Sequence, residues 1–338
     1  MLWLLGKDLD ELTQIAQTLD LPRYTGKQLA DWLYNKRVKQ VGEMTNLSKE
    51  SRERLSSCYE VGGFAPTQVQ ESKDGTRKYM FPTKDNFLIE SVVITDDDRT
   101  TLCVSSQAGC RMGCRFCMTA RQGLQVHLTA GEIIGQFQNV TEHARLTNAV
   151  YMGMGEPMDN LDEVLKSLRI LTSNWGWGWS PRRITVSTIG ILPQLKRFLD
   201  DSPCHLAISL HHPFDAPRQE LIPMQKAHPL ADILSLIQQY NFSGQRRVSF
   251  EYIMFKGEND SLYHAAALAR LLKGLECRVN LIRFHAIPDS PLRPSSAESI
   301  ALFQKKLSES GVLTTVRTSR GEDILAACGL LSTQKSNE

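Results

Sequence analysis

The stretch TLCVSSQAGCRMGCRFC, residues 101–117, joins a β-rich run to a group of cysteines. Residues 101–105 have the composition of a buried strand, and Cys110, Cys114 and Cys117 follow on the segment after it. Further β-rich runs lie at residues 149–154, 184–188, 205–210, 248–254 and 279–284. Helical patterns with an apolar stripe lie between or after them, at residues 130–141, 192–199, 230–240, 263–272 and 298–310.

This alternation of strands and helices predicts an α/β fold with a parallel sheet. Six such units favour a partial (β/α)6 barrel, although a doubly wound sheet has the same periodicity and stays an alternative. In both architectures the ligand site lies at the carboxyl ends of the strands. The cysteine group follows the first strand, so the sequence predicts that it lies at that end.

The segments outside the barrel differ in character. Residues 1–70 carry helical stripes such as Leu12, Ile15 and Leu19, which predict a small helical module. Residues 71–100 read as strands around a Lys-Asp-Gly turn, which predicts a short β extension. We expect the core to span residues 101–331, and the polar residues 332–338 to form a disordered tail.

Composition limits the class of protein. Apolar residues make up 41% of the 338 residues, and 39 basic side chains nearly balance 37 acidic ones, so the chain reads as globular and any RNA binding must use a local basic patch. The start MLWLLG lacks the pattern of a signal peptide, and no stretch predicts a membrane helix, so we expect a cytoplasmic protein with no membrane partner. Its cysteines should then be reduced; Cys58, Cys204 and Cys277 read as small buried apolar residues.

Three cysteines at the spacing CxxxCxxC indicate an iron–sulfur cluster. Thiolates are the soft ligands that a 4Fe-4S cluster requires, and three of them leave one iron open to a small molecule. The alternative is zinc, which needs a fourth ligand, and the sequence offers no second CxxC pair or HxxxH.

The CxxxCxxC motif after the first strand resembles that of the radical S-adenosylmethionine superfamily. Five segments together are similar to the RlmN and Cfr family of RNA adenine methyltransferases, and the similarity runs from near Leu12 to Leu331. These segments are LCVSSQAGC (102–110), YMGMGEPMDN (151–160), RRITVSTIG (182–190), LAISLHHP (206–213) and DILAACG (323–329).

The resemblance implies a site for both cofactors, the 4Fe-4S cluster and S-adenosyl-L-methionine. It assigns the cluster to Cys110, Cys114 and Cys117, and the methionine amine of the second cofactor to Gly155 and Glu156. The remaining contacts with S-adenosylmethionine that it implies are Ser187, Ser209, Leu210, His211 and His285. Position 285 departs from the family, which usually has asparagine there, and a histidine adds a charge near pH 6.5.

The resemblance also implies a radical methylation. Carbon 2 of adenine is electrophilic and does not accept a cationic methyl group, so the family passes a methyl group through a cysteine. Cys328 matches the methyl carrier, and Cys103 matches the thiol that resolves the RNA–protein thioether by forming a disulfide. Glu90 matches the proton acceptor, and strand alternation places it among Val92 and Ile94, where its pKa should rise.

The expected substrate is carbon 2 of adenosine in 23S ribosomal RNA, with transfer RNA as a second substrate and flavodoxin or ferredoxin as the electron donor. The run GEPM at 155–158 favours the RlmN branch over a Cfr-like carbon 8 methyltransferase. The residues also leave open a divergent paralogue with another RNA target, a radical enzyme that acts on something other than RNA, and a metal-binding RNA adaptor without activity.

Candidate RNA contacts are Arg121, Arg182, Arg183, Arg317 and Arg320, whereas Trp175, Trp177 and Trp179 are expected to pack a loop.

Overall fold

The computed structural model describes residues 1–244 and 246–333. Residues 334–338 of the predicted tail lie outside the described part. The strands are β1 (Leu2–Trp3), β2 (Tyr59–Glu60), β3 (Gln68–Glu71), β4 (Arg77–Pro82), β5 (Leu88–Asp96), β6 (Arg99–Cys103), β7 (Gln107–Ala108), β8 (Val126–His127), β9 (Asn148–Tyr151), β10 (Ile184–Thr188), β11 (His205–Ser209), β12 (Val248–Met254), β13 (Cys277–Arg283) and β14 (Leu313–Arg317). The α-helices are α1 (Leu9–Thr18), α2 (Thr25–Ala30), α3 (Lys49–Cys58), α4 (Met118–Arg121), α5 (Ala130–Asn139), α6 (Leu161–Thr172), α7 (Leu192–Asp201), α8 (Asp215–Leu221), α9 (Leu230–Gln238), α10 (Leu262–Leu271) and α11 (Ala297–Glu309).

One sheet of ten strands forms the centre of the molecule, in the order β14-β13-β12-β11-β10-β9-β6-β5-β4-β3. Neighbouring strands from β14 to β6 are parallel, and β5, β4 and β3 continue the sheet as antiparallel strands. The edges are β14 and β3, so the barrel is partial, as the sequence predicts. The β extension therefore shares hydrogen bonds with the core.

All six predicted core strands are present, and β10 and β12 have the predicted bounds. The structure adds a seventh parallel strand, β14, that the sequence pattern does not predict. Its sequence is LTTVR, and it lies at the edge of the sheet with most of its residues partly or fully exposed. An edge strand needs no continuous apolar run, which explains why its pattern is weak.

The helices pack in the order of their strands. Helix α5 lies against α6, α6 against α7, and α10 against α11. Helix α5 begins with a capping box in which Thr129 and Glu132 bond each other's backbone N–H groups. No helix among residues 1–244 and 246–333 is long and apolar enough to cross a membrane.

The N-terminal helical module docks against the core. Helices α1 and α2 pack together, and strand β1 pairs with β2. The Gln138 side chain of α5 donates a hydrogen bond to the carbonyl of Leu33 at 2.8 Å, which joins the module to the core. Trp177 and Trp179 stack edge-on against Phe137, as expected for residues that pack a loop.

The structure corrects one prediction about the isolated cysteines. Cys204 is buried and Cys277 is partly buried, but Cys58 is exposed. Cys58 is the last residue of α3, in which Leu55 is the only buried residue. The apolar face of that helix is too narrow to cover a side chain at its end.

Candidate active site

A cavity of about 400 Å³ opens at the carboxyl ends of the parallel strands. It brings together most of the site residues that the sequence predicts. Those that line it are Cys103, Cys110, Cys114, Cys117, Gly155, Glu156, Ser187, Ser209, His211, His285 and Cys328. Glu90 and Leu210 are not among the lining residues; Leu210 lies between Ser209 and His211, which are, and Glu90 is two residues from Val92, which is.

The three cysteines of the motif lie on the loop between β7 and α4. The backbone N–H of Cys110 donates to the carbonyl of Gly123 at 3.1 Å, and that of Cys117 donates to Cys114 at 3.2 Å. Burial raises the pKa of Cys110 to about 12 and the pKa of Cys114 well above its usual range. Such thiols become thiolates only beside a strong cationic centre, which is the chemistry that iron supplies.

The donor set fits a cluster better than a single ion. No three histidine, cysteine or acidic side chains of the described part of the chain are placed to hold one metal ion together. In a 4Fe-4S cluster each thiolate binds a different iron, so the three sulfur atoms need not meet at one point. A structural zinc site would require four converging ligands.

Gly155 and Glu156 line the cavity, and both contact Gln107. Gly155 has φ +100°, and a Cβ there would lie 2.6 Å from the Cβ of Gln107, so only glycine fits. The carboxylate of Glu156 accepts the N–H groups of Met158 and Ile189 at 3.0 Å each. Burial raises the pKa of Glu156 to about 7, and these bonds oppose the rise. A buried carboxylate of this kind can bind an ammonium group.

Ser187 and Ser209 line the cavity at the ends of β10 and β11. Leu210 is fully buried, and its backbone N–H donates to the carbonyl of Glu251, so its side chain belongs to the core. His211 has φ +54°, a strained value for a residue with a Cβ, and its Nδ1 accepts the N–H of Ile253 at 3.0 Å. Burial lowers the pKa of His211 to about 3, so the ring is neutral.

His285 lies at the edge of the cavity, and both of its ring nitrogens have polar contacts. Its Nε2 is 3.0 Å from the hydroxyl of Ser319, and its Nδ1 is 3.6 Å from the carboxylate of Glu322. Burial lowers the pKa of His285, and Glu322 opposes the shift. The charge that the sequence predicts near pH 6.5 is therefore displaced to lower pH.

Cys328 reaches the cavity on a C-terminal segment that is fixed at several points. The carbonyl of Gly329 accepts the N–H of Met118, and the carbonyl of Leu331 accepts the hydroxyl of Thr119 at 2.7 Å. The Cys328 side chain is accessible from the cavity, whereas Cys103 is buried. Neither thiol is part of a disulfide in this structure.

Arg317 lies beside both thiols. Its guanidinium donates to the sulfur of Met152 at 3.4 Å and lies 3.3 Å from the buried carboxylate of Glu251. Burial raises the pKa of both thiols, and the charge of Arg317 opposes the rise. The sequence predicts an RNA contact at Arg317; the structure places it inside the cavity.

Glu90 is held just outside the lining. It lies on β5, on one strand face with Val92 and Ile94, which do line the cavity. It is only 2% exposed, its carboxylate lies 2.9 Å from the ammonium of Lys78, and it accepts the N–H of Ser332 at 2.9 Å. Burial raises the pKa of Glu90, and Lys78 and Ser332 oppose the rise.

Lys78 is a site residue that sequence reasoning missed. No motif includes it, and it stands in the ordinary strand sequence RKYMFP. The register of the β4–β5 hairpin sets it opposite Val92 and diagonal to Glu90. That register is the one signal that could have identified Lys78 as the partner of the carboxylate.

The other candidate arginines are dispersed. Arg320 pairs with Asp96 at the cavity mouth. Arg121 donates a hydrogen bond to the carbonyl of Pro288. Arg182 and Arg183 precede β10, at the end of that strand away from the cavity, so the structure does not bring them to the site.

Comparison with known proteins agrees with this geometry. The family model of the radical SAM superfamily matches residues 104–269, and that of the ribosomal RNA large subunit methyltransferase N-terminal domain matches residues 3–61. A probable dual-specificity RNA methyltransferase RlmN of Phocaeicola vulgatus is 53% identical over 99% of this chain and 96% of its own length. The dual-specificity RNA methyltransferase RlmN of Syntrophus aciditrophicus is 43% identical over 96% of this chain and 94% of its own length.

A solved structure is similar over nearly the whole fold. The crystal structure of a radical SAM methyltransferase from Sphaerobacter thermophilus superposes with a TM-score of 0.92 at 39% identity, and covers 98% of this chain and 99% of its own. Sequence identity at this level over nearly the whole chain indicates membership of one family and not only a shared fold. The chain therefore belongs to the RlmN family of radical S-adenosylmethionine RNA methyltransferases.

Proposed function

We propose that the chain methylates carbon 2 of adenosine in 23S ribosomal RNA and in transfer RNA. One observation carries the proposal: a single cavity holds the three cysteines of the motif, Glu156 and the two further cysteines 103 and 328. A protein that only bound metal would have no use for an accessible thiol next to a buried one at this place. The family and the resemblance to RlmN relatives support the substrate.

Cys110, Cys114 and Cys117 would hold the 4Fe-4S cluster, and Gly155, Glu156, Ser187, Ser209, His211 and His285 would surround S-adenosylmethionine. Leu210 supports this wall through its backbone. When bound, the cluster supplies the electron that cleaves S-adenosylmethionine reductively. The buried Glu156 carboxylate would hold the amine of S-adenosylmethionine.

Cys328 is the methyl carrier. Its sulfur takes the methyl group of one S-adenosylmethionine as the thiol proton leaves, and the bonding pair departs with the product S-adenosylhomocysteine. A second S-adenosylmethionine, cleaved reductively, would supply the 5′-deoxyadenosyl radical that accepts one hydrogen atom from this methyl group, and the resulting carbon radical would bond to carbon 2 of the base. Glu90 takes the proton of carbon 2 as the adduct returns one electron to the electron-transfer chain. The Cys103 thiolate then bonds to the Cys328 sulfur, the bond from that sulfur to the methylene carbon breaks, and this carbon takes up a proton to become the new methyl group.

We also propose domain boundaries for the chain and a location for the protein in the cell. Residues 1–70 form an RNA-binding module, residues 71–100 an extension that carries Glu90, and residues 101–331 the radical core. Pairing of β5 with β6 makes the extension continuous with the core sheet and so brings Glu90 to the radical core. Ribosomal RNA as substrate implies the cytoplasm, and reductive cleavage implies an electron donor such as flavodoxin or ferredoxin.

The test is mass spectrometry of ribosomal and transfer RNA from cells with and without the gene. We expect 2-methyladenosine to disappear on deletion and to return with the intact gene but not with Cys328→Ala. Cys204→Ala is the matched control, since Cys204 is buried away from the cavity. Unchanged 2-methyladenosine, or 8-methyladenosine from the purified enzyme, would contradict the proposal.

A further inference from the structure

Arg218 of helix α8 is a buried guanidinium that forms no ion pair with a carboxylate among the described residues. The residue has 0% of its surface exposed. Its Nε donates to the carbonyl of Leu210 at 3.0 Å, and its Nη2 donates to the carbonyls of Ile189 and Ser209 at 2.9 and 2.8 Å. Within the described residues, Nη1 has no hydrogen-bond partner. Three neutral oxygens thus surround a charged group.

A charge in this position is costly, because carbonyl dipoles replace water only in part. Burial lowers the pKa of Arg218 to about 10, and the group still carries its proton at neutral pH. The nearby Asp215 opposes the shift, but in the described part of the chain it forms no ion pair with Arg218, and its Oδ1 accepts hydrogen bonds from the Gln225 amide and the N–H of Leu230. The arrangement therefore calls for another negative charge close to the guanidinium.

The position of Arg218 shows where that charge belongs. Arg218 binds the carbonyl of Ile189, just after β10, and those of Ser209 and Leu210, at the end of β11. Ile189 and Ser209 line the cavity. Helix α8 also touches the cysteine loop, because the carbonyl of Leu221 accepts the N–H of Arg115 at 3.0 Å. The titratable groups that face Arg218 are the Cys114 thiol, which carries a charge only as a thiolate, the Asp215 carboxylate and the neutral His211.

We propose that Arg218 is the buried counter-cation of the 4Fe-4S cluster and raises its reduction potential. The inference rests on the proposed function, which places the cluster on Cys110, Cys114 and Cys117. Three thiolates give the cluster a net negative charge, and reduction adds one more. A fixed positive charge in a medium of low dielectric stabilises the reduced form more than the oxidised form, so the cluster accepts an electron more easily.

The test is a redox titration of the reconstituted holoenzyme, followed by electron paramagnetic resonance without RNA. Arg218→Gln keeps a hydrogen-bonding side chain and removes the charge, and we expect at least a tenfold fall in the equilibrium constant for reduction, which is about 59 mV for one electron. Arg218→Lys keeps the charge and should retain most of the potential. Arg111→Gln is the control, because Arg111 flanks Cys110 but is exposed and paired with Asp159.

Two outcomes overturn the inference. The first is an Arg218→Gln enzyme with full iron content and the potential of the Arg111→Gln control. The second applies if Arg218→Gln does not take up the cluster: equal failure of Arg218→Lys would mean that the carbonyl bonds matter and the charge does not. A wild-type protein that binds no cluster would instead refute the proposed function, so the two failures are distinguishable.

Discussion

Replacing Lys78 with methionine leaves the Glu90 carboxylate buried without its counter-charge. The two groups are 2.9 Å apart, and their side chains are only 10% and 3% exposed. Removing one partner of a buried ion pair costs about 3–5 kcal/mol if the other stays charged. Glu90 can avoid this cost by keeping its proton, because burial already raises its pKa and Lys78 is the main opposing charge.

A protonated Glu90 cannot accept the proton of carbon 2. General base catalysis contributes about 10²–10⁴-fold, so Lys78→Met should lose activity within that range at neutral pH. Activity should recover in part as the pH rises and Glu90 ionises. The free energy of unfolding of the variant should instead fall as the pH rises. A carboxyl whose pKa is higher in the folded state stabilises the fold while it is protonated, and this contribution is lost as the pH rises through the folded pKa.

The assay is single-turnover formation of 2-methyladenosine from about pH 6 to 9, together with urea unfolding of the same preparations. Lys73→Met is the matched control, because Lys73 is exposed in the turn before β4. The double variant Lys78→Met/Glu90→Gln should regain stability and stay inactive, since it buries no charge and has no base. Lys78→Met with the wild-type rate and pH profile would refute the reasoning that Lys78 keeps Glu90 ionised.

Three further expectations concern the thiols and the S-adenosylmethionine pocket. Cys103→Ala should accumulate a protein–RNA adduct that survives a denaturing gel and disappears with ribonuclease, whereas Cys328→Ala should form none; absence of the adduct with Cys328 methylated would exclude Cys103 as resolving thiol. Because burial raises the pKa of Glu156 to about 7, the enzyme should bind S-adenosylmethionine more weakly at pH 6 than at pH 8 in equilibrium dialysis, and Glu156→Gln should remove this difference. Because burial lowers the pKa of His285, any effect of its charge on the same affinity should appear only below about pH 6.5 and vanish in His285→Asn; an effect between pH 7 and 8 would contradict this.

The sequence predicts the parts of the fold that have a regular pattern. Core strands β10 and β12 are continuous β-rich runs, so their bounds could be found to the residue. The cysteine motif is local, because three ligands fall within eight residues, and so it is visible without knowledge of the fold. Strand β14 lies at an edge and has no such run, so its pattern does not distinguish it from a loop.

The charges that set the chemistry of the site are a different case. Lys78 and Arg218 are buried by contacts with strands and loops that are distant in the sequence, and a single lysine or arginine in a polar stretch reads as a solvent-exposed residue. Arg317 stands out in the sequence, but its pairing with Glu251 inside the cavity depends on the placement of β14 and β12 on either side of β13. Only the three-dimensional arrangement distinguishes a buried charge from an exposed one.

Cys328 and Glu90 lie far apart in the sequence, and the structure joins their segments directly. The β3–β4 turn holds the segment before Cys328, because the N–H of Gly321 donates to the carboxylate of Asp74 at 2.9 Å. After Cys328, the N–H of Ser332 donates to the Glu90 carboxylate. The β extension therefore fixes the proposed methyl carrier from both sides while it supplies the proposed base. If Cys328 and Glu90 act on one substrate carbon as proposed, this coupling would fix their relative positions more closely than a base on an independent loop could.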